Sequence, residues 1–191
     1  MTATYSSLSL ILLGPPGSGK TTQAEALAAA YQLPLISTRA MLEAEIASGS
    51  PLGRQIEREV IKRGELVSDR VMSGMILQRL DREDCRRGFI LDGYPRTVDQ
   101  AALLDTIMAE LGRSIDRVVL LDVAEEVGVE RLASSEEAEA IEERCRIWRD
   151  NAPALIESYR HRGLLLEVDG SRSGDEVRDS VLQVVGAPVG A

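Results

Sequence analysis

The stretch GPPGSGKTT, residues 14–22, follows directly on the apolar run Leu8–Leu13. It matches the pattern G-x-x-x-x-G-K-[ST], in which a glycine-rich loop joins a buried strand to the start of a helix. Backbone N–H groups turned into such a loop, together with the free N–H groups of the helix N-terminus, form a cradle for phosphate. Lys20 would reach the β- and γ-phosphates, and the Thr21 hydroxyl could reach Mg²⁺. The stretch therefore predicts a site for a nucleoside triphosphate.

The rest of the chain continues the strand–helix alternation that this loop begins. Short aliphatic segments, typical of buried parallel strands, lie at 8–13, 33–37, 88–91, 117–123 and 164–168. Helical patterns separate them, among others at 20–31, 97–111 and 136–161. This alternation predicts an α/β fold with a doubly wound parallel sheet. Only the stretch 38–80 breaks it, with helical pattern and several turn signals, which predicts a small helical insertion between the second and third strands.

Composition limits the classes of function that the chain can serve. Its 191 residues suit one domain, and 22 Lys and Arg against 31 Asp and Glu argue against a nucleic-acid partner. Such a chain can still bind anions if its few basic groups converge at one site. Cys85 and Cys145 lack the spacing of a metal site or a disulfide framework, so we expect both to be buried or half-buried thiols. With no signal peptide and no membrane-length apolar segment evident, we expect a cytoplasmic protein without membrane partners.

A second motif, GFILDGYPRT at residues 88–97, ends a predicted buried strand in Asp92. An acid at that point could hold Mg²⁺ or its waters beside Thr21, as phosphoryl transfer requires. Asp92 could instead cap the following turn. Arg96 follows a proline and could aim its guanidinium at a phosphate, or it could form an ordinary surface ion pair.

Together these motifs resemble the adenylate kinases, within the nucleoside monophosphate (NMP) kinases. The resemblance spans nearly the full length. The two motifs above carry most of it, and weaker ones follow in the family's order: LISTRAMLEAEI, GELVSDRV, LLDVAEEVGVERL and YRHRGLLLEVDG. It implies a P-loop NTPase fold with a five-stranded parallel sheet and helices on both faces. It also implies one kinase domain over residues 1–191, with an NMP-binding helical insertion at 38–67 and a reduced lid at 132–143.

The resemblance also implies roles for single residues on the ATP side. Asp92 would organise Mg²⁺ together with Thr21, Arg131 would stack on the adenine, and Arg172 marks where a loop backbone meets the adenine edge. Without the family pattern, Arg131 and Arg144 could be ordinary charges on helix surfaces. The residues that would wrap the ATP phosphates are Gly17, Ser18, Gly19, Lys20, Thr21 and Thr22.

On the AMP side the resemblance implies a second set of contacts. Arg96 and Gly93 would face the AMP phosphate, Gln100 would hydrogen-bond the adenine, and Arg144 would reach the transferring group. Lys20, Asp92, Arg96 and Arg144 would together carry catalysis. The positions that would receive the ribose and base are Thr38, Leu66 and Val67.

The acceptor-side motif departs from the family at three positions, among them Ala40, which replaces an acid. The family usually reads S-T-G-D-M-L-R, whereas residues 37–43 read STRAMLE, so Glu43 stands where an arginine would bind the AMP phosphate. Arg39 lies four residues earlier, and on a helix the two would share a face. Arg39 could take over the phosphate contact or merely neutralise Glu43, and the residues leave both open.

The predicted lid departs further. Between Arg131 and Arg144 the chain has no Lys or Arg, whereas the family supplies two arginines from the lid and its flanks, one of them near Ser135. A lid excludes water and adds positive charge to the transition state. We therefore expect a slower kinase, or one that loses phosphate to water.

The sequence as a whole favours an adenylate kinase that uses Mg·ATP and AMP and acts as a monomer. A related kinase with a different NMP acceptor keeps the same fold and fits the altered Glu43. A nucleotide-binding regulatory relative with weak or no transfer fits the reduced lid. Lys20, Asp92, Arg96 and Arg144 argue for an enzyme.

Overall fold

The computed structural model of the protein describes residues 7–58, 67–134 and 137–186. Its centre is strand β1, Leu8–Leu13, in a five-stranded parallel sheet of order β2-β3-β1-β4-β5. The predicted P-loop α/β fold is thereby confirmed. The segment predicted at 33–37 forms a strand only from Leu35. The other strands are β2 (Leu35–Ser37), β3 (Gly88–Asp92), β4 (Arg117–Asp122) and β5 (Leu165–Asp169).

Helices connect the strands and fill the insertion. The α-helices of the described residues are α1 (Lys20–Tyr31), α2 (Thr38–Ala47), α3 (Pro51–Ile56), α4 (Asp69–Leu80), α5 (Val98–Glu110), α6 (Glu125–Leu132), α7 (Ala138–His161) and α8 (Gly174–Val185). The predicted insertion at 38–67 holds α2 and α3, and residues 59–66 lie outside the described part. Residues 133–137 join α6 to α7 within the predicted lid, and residues 135 and 136 are likewise outside it.

Alternation along β1 explains why both faces of the sheet are covered. Ile11 and Leu13 contribute to a core formed with α4, α5 and α7. Leu8, Leu10 and Leu12 point to the opposite face, where α1 and α8 complete a second core. A strand with aliphatic side chains on both faces is stable only between two helical layers. The continuous apolar run that precedes the phosphate loop thus places β1 at the centre of the molecule.

The sheet order fixes where a ligand can bind. From β1 the chain crosses to β2 at one edge of the sheet, and from β3 it crosses to β4 in the opposite direction. The direction of winding therefore reverses between the adjacent strands β1 and β3. Ligands of open α/β sheets bind at the carboxyl ends of the strands at such a reversal. The register pairs Leu12 with Asp92, which sets the start of the phosphate loop beside the end of β3.

Helix α6 packs directly on the phosphate loop through two glycines. A Cβ atom built on Gly128 would lie 2.2 Å from the carbonyl oxygen of Pro16, and one built on Gly17 would lie 2.1 Å from the carbonyl oxygen of Gly128. The backbone of α6 therefore lies directly against the backbone of the loop, and only glycine at these two positions allows so close an approach. Arg131 follows Gly128 by about one helical turn. The contact between Gly128 and Gly17 therefore sets the distance of Arg131 from the phosphate loop.

We expect Gly128→Ala to destabilise the protein by about 1–3 kcal/mol, the usual cost of an added methyl in a packed interior. The clash is with backbone atoms, so α6 must shift as a unit. Gly74→Ala is the matched control, because Gly74 lies inside α4 and no described atom comes within 4 Å of its added Cβ. It should stabilise by about 0.4–1 kcal/mol. Urea unfolding measures both, and shifts of the same sign would contradict the glycine contact.

Candidate active site

The phosphate loop presents its lysine at the first position of α1. Lys20 follows the N-cap Gly19, and its Nζ donates a hydrogen bond to the carbonyl oxygen of Pro15 at 3.1 Å. Burial lowers the pKa of Lys20 to about 8; nearby Asp92 opposes this effect, while Arg144 and Arg96 add to it. At neutral pH the ammonium group is still mostly protonated. A partly buried positive charge that donates to one backbone carbonyl is suited to receive an anion.

Asp92 lies next to the loop as the second motif predicts. The Thr21 hydroxyl donates to Asp92 Oδ2 at 2.8 Å, across the ends of β1 and β3. Asp92 is 5% exposed, and its other oxygen, Oδ1, is buried without a partner among the described residues. The Asp92 carboxylate therefore does not cap the following turn, which was the alternative that the sequence allowed. Two hard oxygen ligands, one of them unsatisfied, fit Mg²⁺, which takes most of its other ligands from water and phosphate.

Three basic side chains from three parts of the chain line one cavity next to this pair. Lys20 comes from α1, Arg96 from the turn after β3 and Arg144 from α7. Burial lowers the pKa of Arg96, and the charge of Arg144 lowers it further against the opposing charge of Asp92. Arg96 forms no ion pair with a carboxylate of the described residues. The other walls are largely apolar, formed by Leu12, Leu13, Tyr94, Pro95, Ile147 and Trp148.

Arg131 is more than a solvated helix charge. Its guanidinium donates to the carbonyl oxygen of Gly17 at 3.3 Å and to that of Gly170 at 3.5 Å. It thus bridges the phosphate loop and the loop that follows β5. Arg172 lies on that second loop, where its Nε pairs with Asp169 Oδ2 at 3.1 Å near the surface. The structure brings both arginines to the side of the phosphate loop that faces α6 and β5.

Four of the residues predicted to contact AMP lie around the turn after β3, namely Thr38, Gly93, Arg96 and Gln100. The Thr38 hydroxyl donates to the carbonyl oxygen of Gly93 at 3.2 Å, and Arg96 Nε donates to the same oxygen at 3.0 Å. The Gln100 side chain accepts from the backbone N–H of Arg96 at 2.8 Å. Val67 packs against the core formed with α4, α5 and α7. Leu66 lies outside the described residues.

Arg39 and Glu43 form the ion pair that their spacing predicts. Arg39 Nε lies 3.0 Å from Glu43 Oε1 on α2, and the two side chains are 75% and 65% exposed. Among the described residues, neither belongs to the lining of the cavity that holds the three basic groups. In this arrangement Arg39 neutralises Glu43.

Some residues of the site have no counterpart in the sequence predictions. Trp148 lines the cavity four residues after Arg144, so helical spacing could have placed both on one face of α7. Gly128 precedes Arg131 by three residues, but nothing local marks its contact with Gly17. Asp69 binds the side chain of Gln100 from 31 residues away, and no sequence pattern indicates this pairing.

Two expectations about the class of protein concern cysteines and membranes. Cys85 and Cys145 are both buried free thiols, as predicted. Within residues 7–58, 67–134 and 137–186, no helix has the length and apolar character needed to cross a membrane.

Comparison with known proteins agrees with this geometry. The family model described as adenylate kinase matches residues 12–164. An adenylate kinase of Xanthomonas campestris pv. campestris (strain 8004) is 46% identical over 185 residues, covering 93% of this chain and 98% of the relative. Adenylate kinases of Xanthomonas euvesicatoria pv. vesicatoria (strain 85-10) and Xylella fastidiosa (strain 9a5c) are 45% and 43% identical with the same coverage. A phosphate loop, an adjacent acid and converging arginines thus stand in a chain that belongs to the adenylate kinase family.

Proposed function

We propose that the chain transfers the γ-phosphoryl group of ATP to AMP and releases two ADP. The family is one of ATP-dependent phosphotransferases, and its curated relatives bear the name adenylate kinase. The observation that carries the proposal is the position of Lys20. Lys20 precedes Thr21, whose hydroxyl binds Asp92, and it lines the same cavity as Arg96 and Arg144. A group placed there can contact phosphates of both substrates.

On the donor side, the chain supplies position and charge. The N–H groups of the loop and the dipole of α1 receive the β-phosphate, and Lys20 balances the charge of the γ-phosphate. The buried Ser18 hydroxyl, which has no partner among the described residues, is available to a phosphate oxygen. Arg131 would exchange its carbonyl partners for the adenine face, since guanidinium groups stack well on aromatic rings.

On the acceptor side, Arg96 and Arg144 hold the AMP phosphate in line with the γ-phosphate. Both arginines line one cavity with Lys20, so the three charges can compensate the negative charge that spreads over the transferring group. Thr38 and Val67 would contact the ribose and base, and Gln100 the base edge. The reaction requires no covalent intermediate, because positioning and charge compensation account for phosphoryl transfer.

Magnesium fits the donor end of this site. Thr21 and Asp92 would hold Mg²⁺, Asp92 in part through water. When bound, the ion neutralises charge on the β- and γ-phosphates. The described residues contain no group of three or more His, Cys, Asp or Glu that could bind a metal ion alone. Phosphate oxygens and water would complete the coordination that Thr21 and Asp92 begin.

One observation favours a second candidate, a kinase for another nucleoside monophosphate. Glu43 places a carboxylate where the family uses an arginine, and Arg39 is engaged with it. A panel of nucleoside monophosphates incubated with Mg·ATP, with diphosphate formation followed directly, separates the two candidates. AMP should be the preferred acceptor. The proposal further includes a monomer in the cytoplasm that has neither nucleic-acid nor membrane partners.

Lys20→Ala should lower kcat for AMP phosphorylation at least about a hundredfold, since an electrostatic group at the transferring phosphate contributes on this order. A coupled assay of ADP formation measures the loss. The variant should keep its unfolding midpoint, which serves as the control for folding. Near wild-type turnover in a folded Lys20→Ala protein would overturn the proposed function.

The short connection between α6 and α7 should leave the γ-phosphate open to water. Residues 133–137 join the two helices and carry no Lys or Arg. Because a closed lid normally excludes water, we expect ATP hydrolysis without AMP to reach at least about a hundredth of the transfer rate. Release of inorganic phosphate measures it, with Lys20→Ala as the background. Hydrolysis below that level beside fast transfer would show that another segment seals the site.

Glu43→Arg should tighten AMP binding roughly tenfold to a hundredfold, if the arginine reaches the AMP phosphate. One charge-assisted hydrogen bond contributes about 1.5–3 kcal/mol, and each 1.4 kcal/mol is about tenfold in Kd. ATP affinity should change little, and calorimetric titration measures both. Arg39→Ala separates the roles of Arg39, since a large loss of AMP affinity would make Arg39 the phosphate ligand. Unchanged AMP affinity in both variants would show that this face of α2 does not contact the acceptor.

A further inference from the structure

The side-chain amide of Gln100 is held at both of its ends. Oε1 accepts a hydrogen bond from the backbone N–H of Arg96 at 2.8 Å. Nε2 donates to Asp69 Oδ1, at the start of α4, at 2.7 Å. A glutamine side chain is normally free to rotate about its last bond. Here two partners from different elements restrain it.

The chemistry of the partners allows only one orientation of this amide. A backbone N–H can only donate and an ionised carboxylate can only accept. Rotating the amide by 180° would place its NH₂ against the Arg96 N–H and its oxygen against the Asp69 carboxylate. Both contacts would then be repulsive. The observed orientation is therefore the one that satisfies both partners.

The backbone of Gln100 is fixed as well. Its N–H donates to the Thr97 side chain, which caps α5, at 3.1 Å. Its carbonyl oxygen accepts from the Tyr94 hydroxyl at 3.1 Å, and Tyr94 is buried. Both backbone polar groups of Gln100 are therefore held in place. The amide is thus presented in a preset position next to Arg96.

Among the described residues the amide makes only these two hydrogen bonds, and since it has two N–H groups and two oxygen lone pairs, one of each remains for a ligand. Adenine offers N1 as an acceptor and its 6-amino group as a donor, which matches that pair. Hypoxanthine, which differs at the same edge, offers N1–H as a donor and O6 as an acceptor. It would require the rotated amide. An amide held in the orientation that matches adenine therefore disfavours hypoxanthine, because the polar groups of the amide and the base would be left unpaired.

We propose that Asp69 is a positioning residue that fixes the Gln100 amide and thereby selects 6-aminopurine over 6-oxopurine monophosphates. The proposal rests on the proposed function, in which Gln100 faces the acceptor base. Asp69 does not touch the substrate. It acts through Gln100, together with the backbone N–H of Arg96.

The test compares equilibrium binding of AMP and IMP, without ATP, to the wild-type protein and to Asp69 variants. In Asp69→Asn the side-chain amide of residue 69 can donate a hydrogen bond as well as accept one. It could therefore donate to the Gln100 oxygen when the Gln100 amide is rotated, which removes one of the two repulsive contacts. The ratio of the IMP Kd to the AMP Kd should fall about tenfold, which corresponds to about 1.4 kcal/mol. Asp69→Glu keeps the carboxylate and should retain the wild-type ratio within about threefold. ATP binding should be unchanged in both variants.

Asp99→Asn is the matched control. Asp99 also lies in the first turn of a helix, α5, and its carboxylate makes none of the contacts of the Gln100 amide given above. Its removal should leave the ratio unchanged. An equal fall in Asp99→Asn would overturn the proposal, because a general loss of negative charge would then explain the effect.

Asp69→Ala provides a second variant in case Asp69→Asn does not fold. It removes the restraint and should also lower the ratio about tenfold. A wild-type ratio in any folded Asp69→Asn or Asp69→Ala protein would overturn the positioning role. Failure of the proposed function has a different signature. The wild-type protein would then form no ADP from AMP and Mg·ATP, whatever the ratio of the two dissociation constants.

Discussion

The hydrogen bond between Thr21 and Asp92 joins the first turn of α1 to the end of β3, and the rest of the site is arranged around it. It forms because β1 and β3 are adjacent and parallel, in a register that pairs Leu12 with Asp92. A shift of one residue would turn the Asp92 side chain to the other face of the sheet. Lys20 would then lose its acidic neighbour. The proposed donor half of the site therefore depends on strand register as much as on the phosphate loop.

Electrostatics divides the arginines of the chain into two groups. Several arginines on helix surfaces are neutralised by nearby carboxylates, among them Arg146, Arg160 and Arg178. Arg96 has no such partner among the described residues, and it shares a cavity with Lys20 and Arg144. The lowered pKa of Lys20 reflects burial that these like charges reinforce. A chain with a net charge of −9 thus concentrates positive charge where phosphates would bind.

Helix α6 brings Arg131 to the phosphate loop. Packing of Gly128 on Gly17 sets the position of α6, and an ion pair of Glu125 with Arg149 links the start of α6 to α7. Arg131 then reaches the phosphate loop from a helix that is already in contact with it. This arrangement would position an arginine on the proposed ATP side of the site.

The sequence by itself determined the features that depend on neighbours along the chain. The phosphate loop, the buried strand before it and the ion pair of Arg39 with Glu43 follow from spacing within a strand, a loop or one helical turn. Contacts between elements were decided by the tertiary structure. Arg131 meets Gly17 across 114 residues, and Asp69 meets Gln100 across 31. Such pairs depend on sheet order and helix packing, because periodicity shows which face a residue occupies and leaves open which element covers that face.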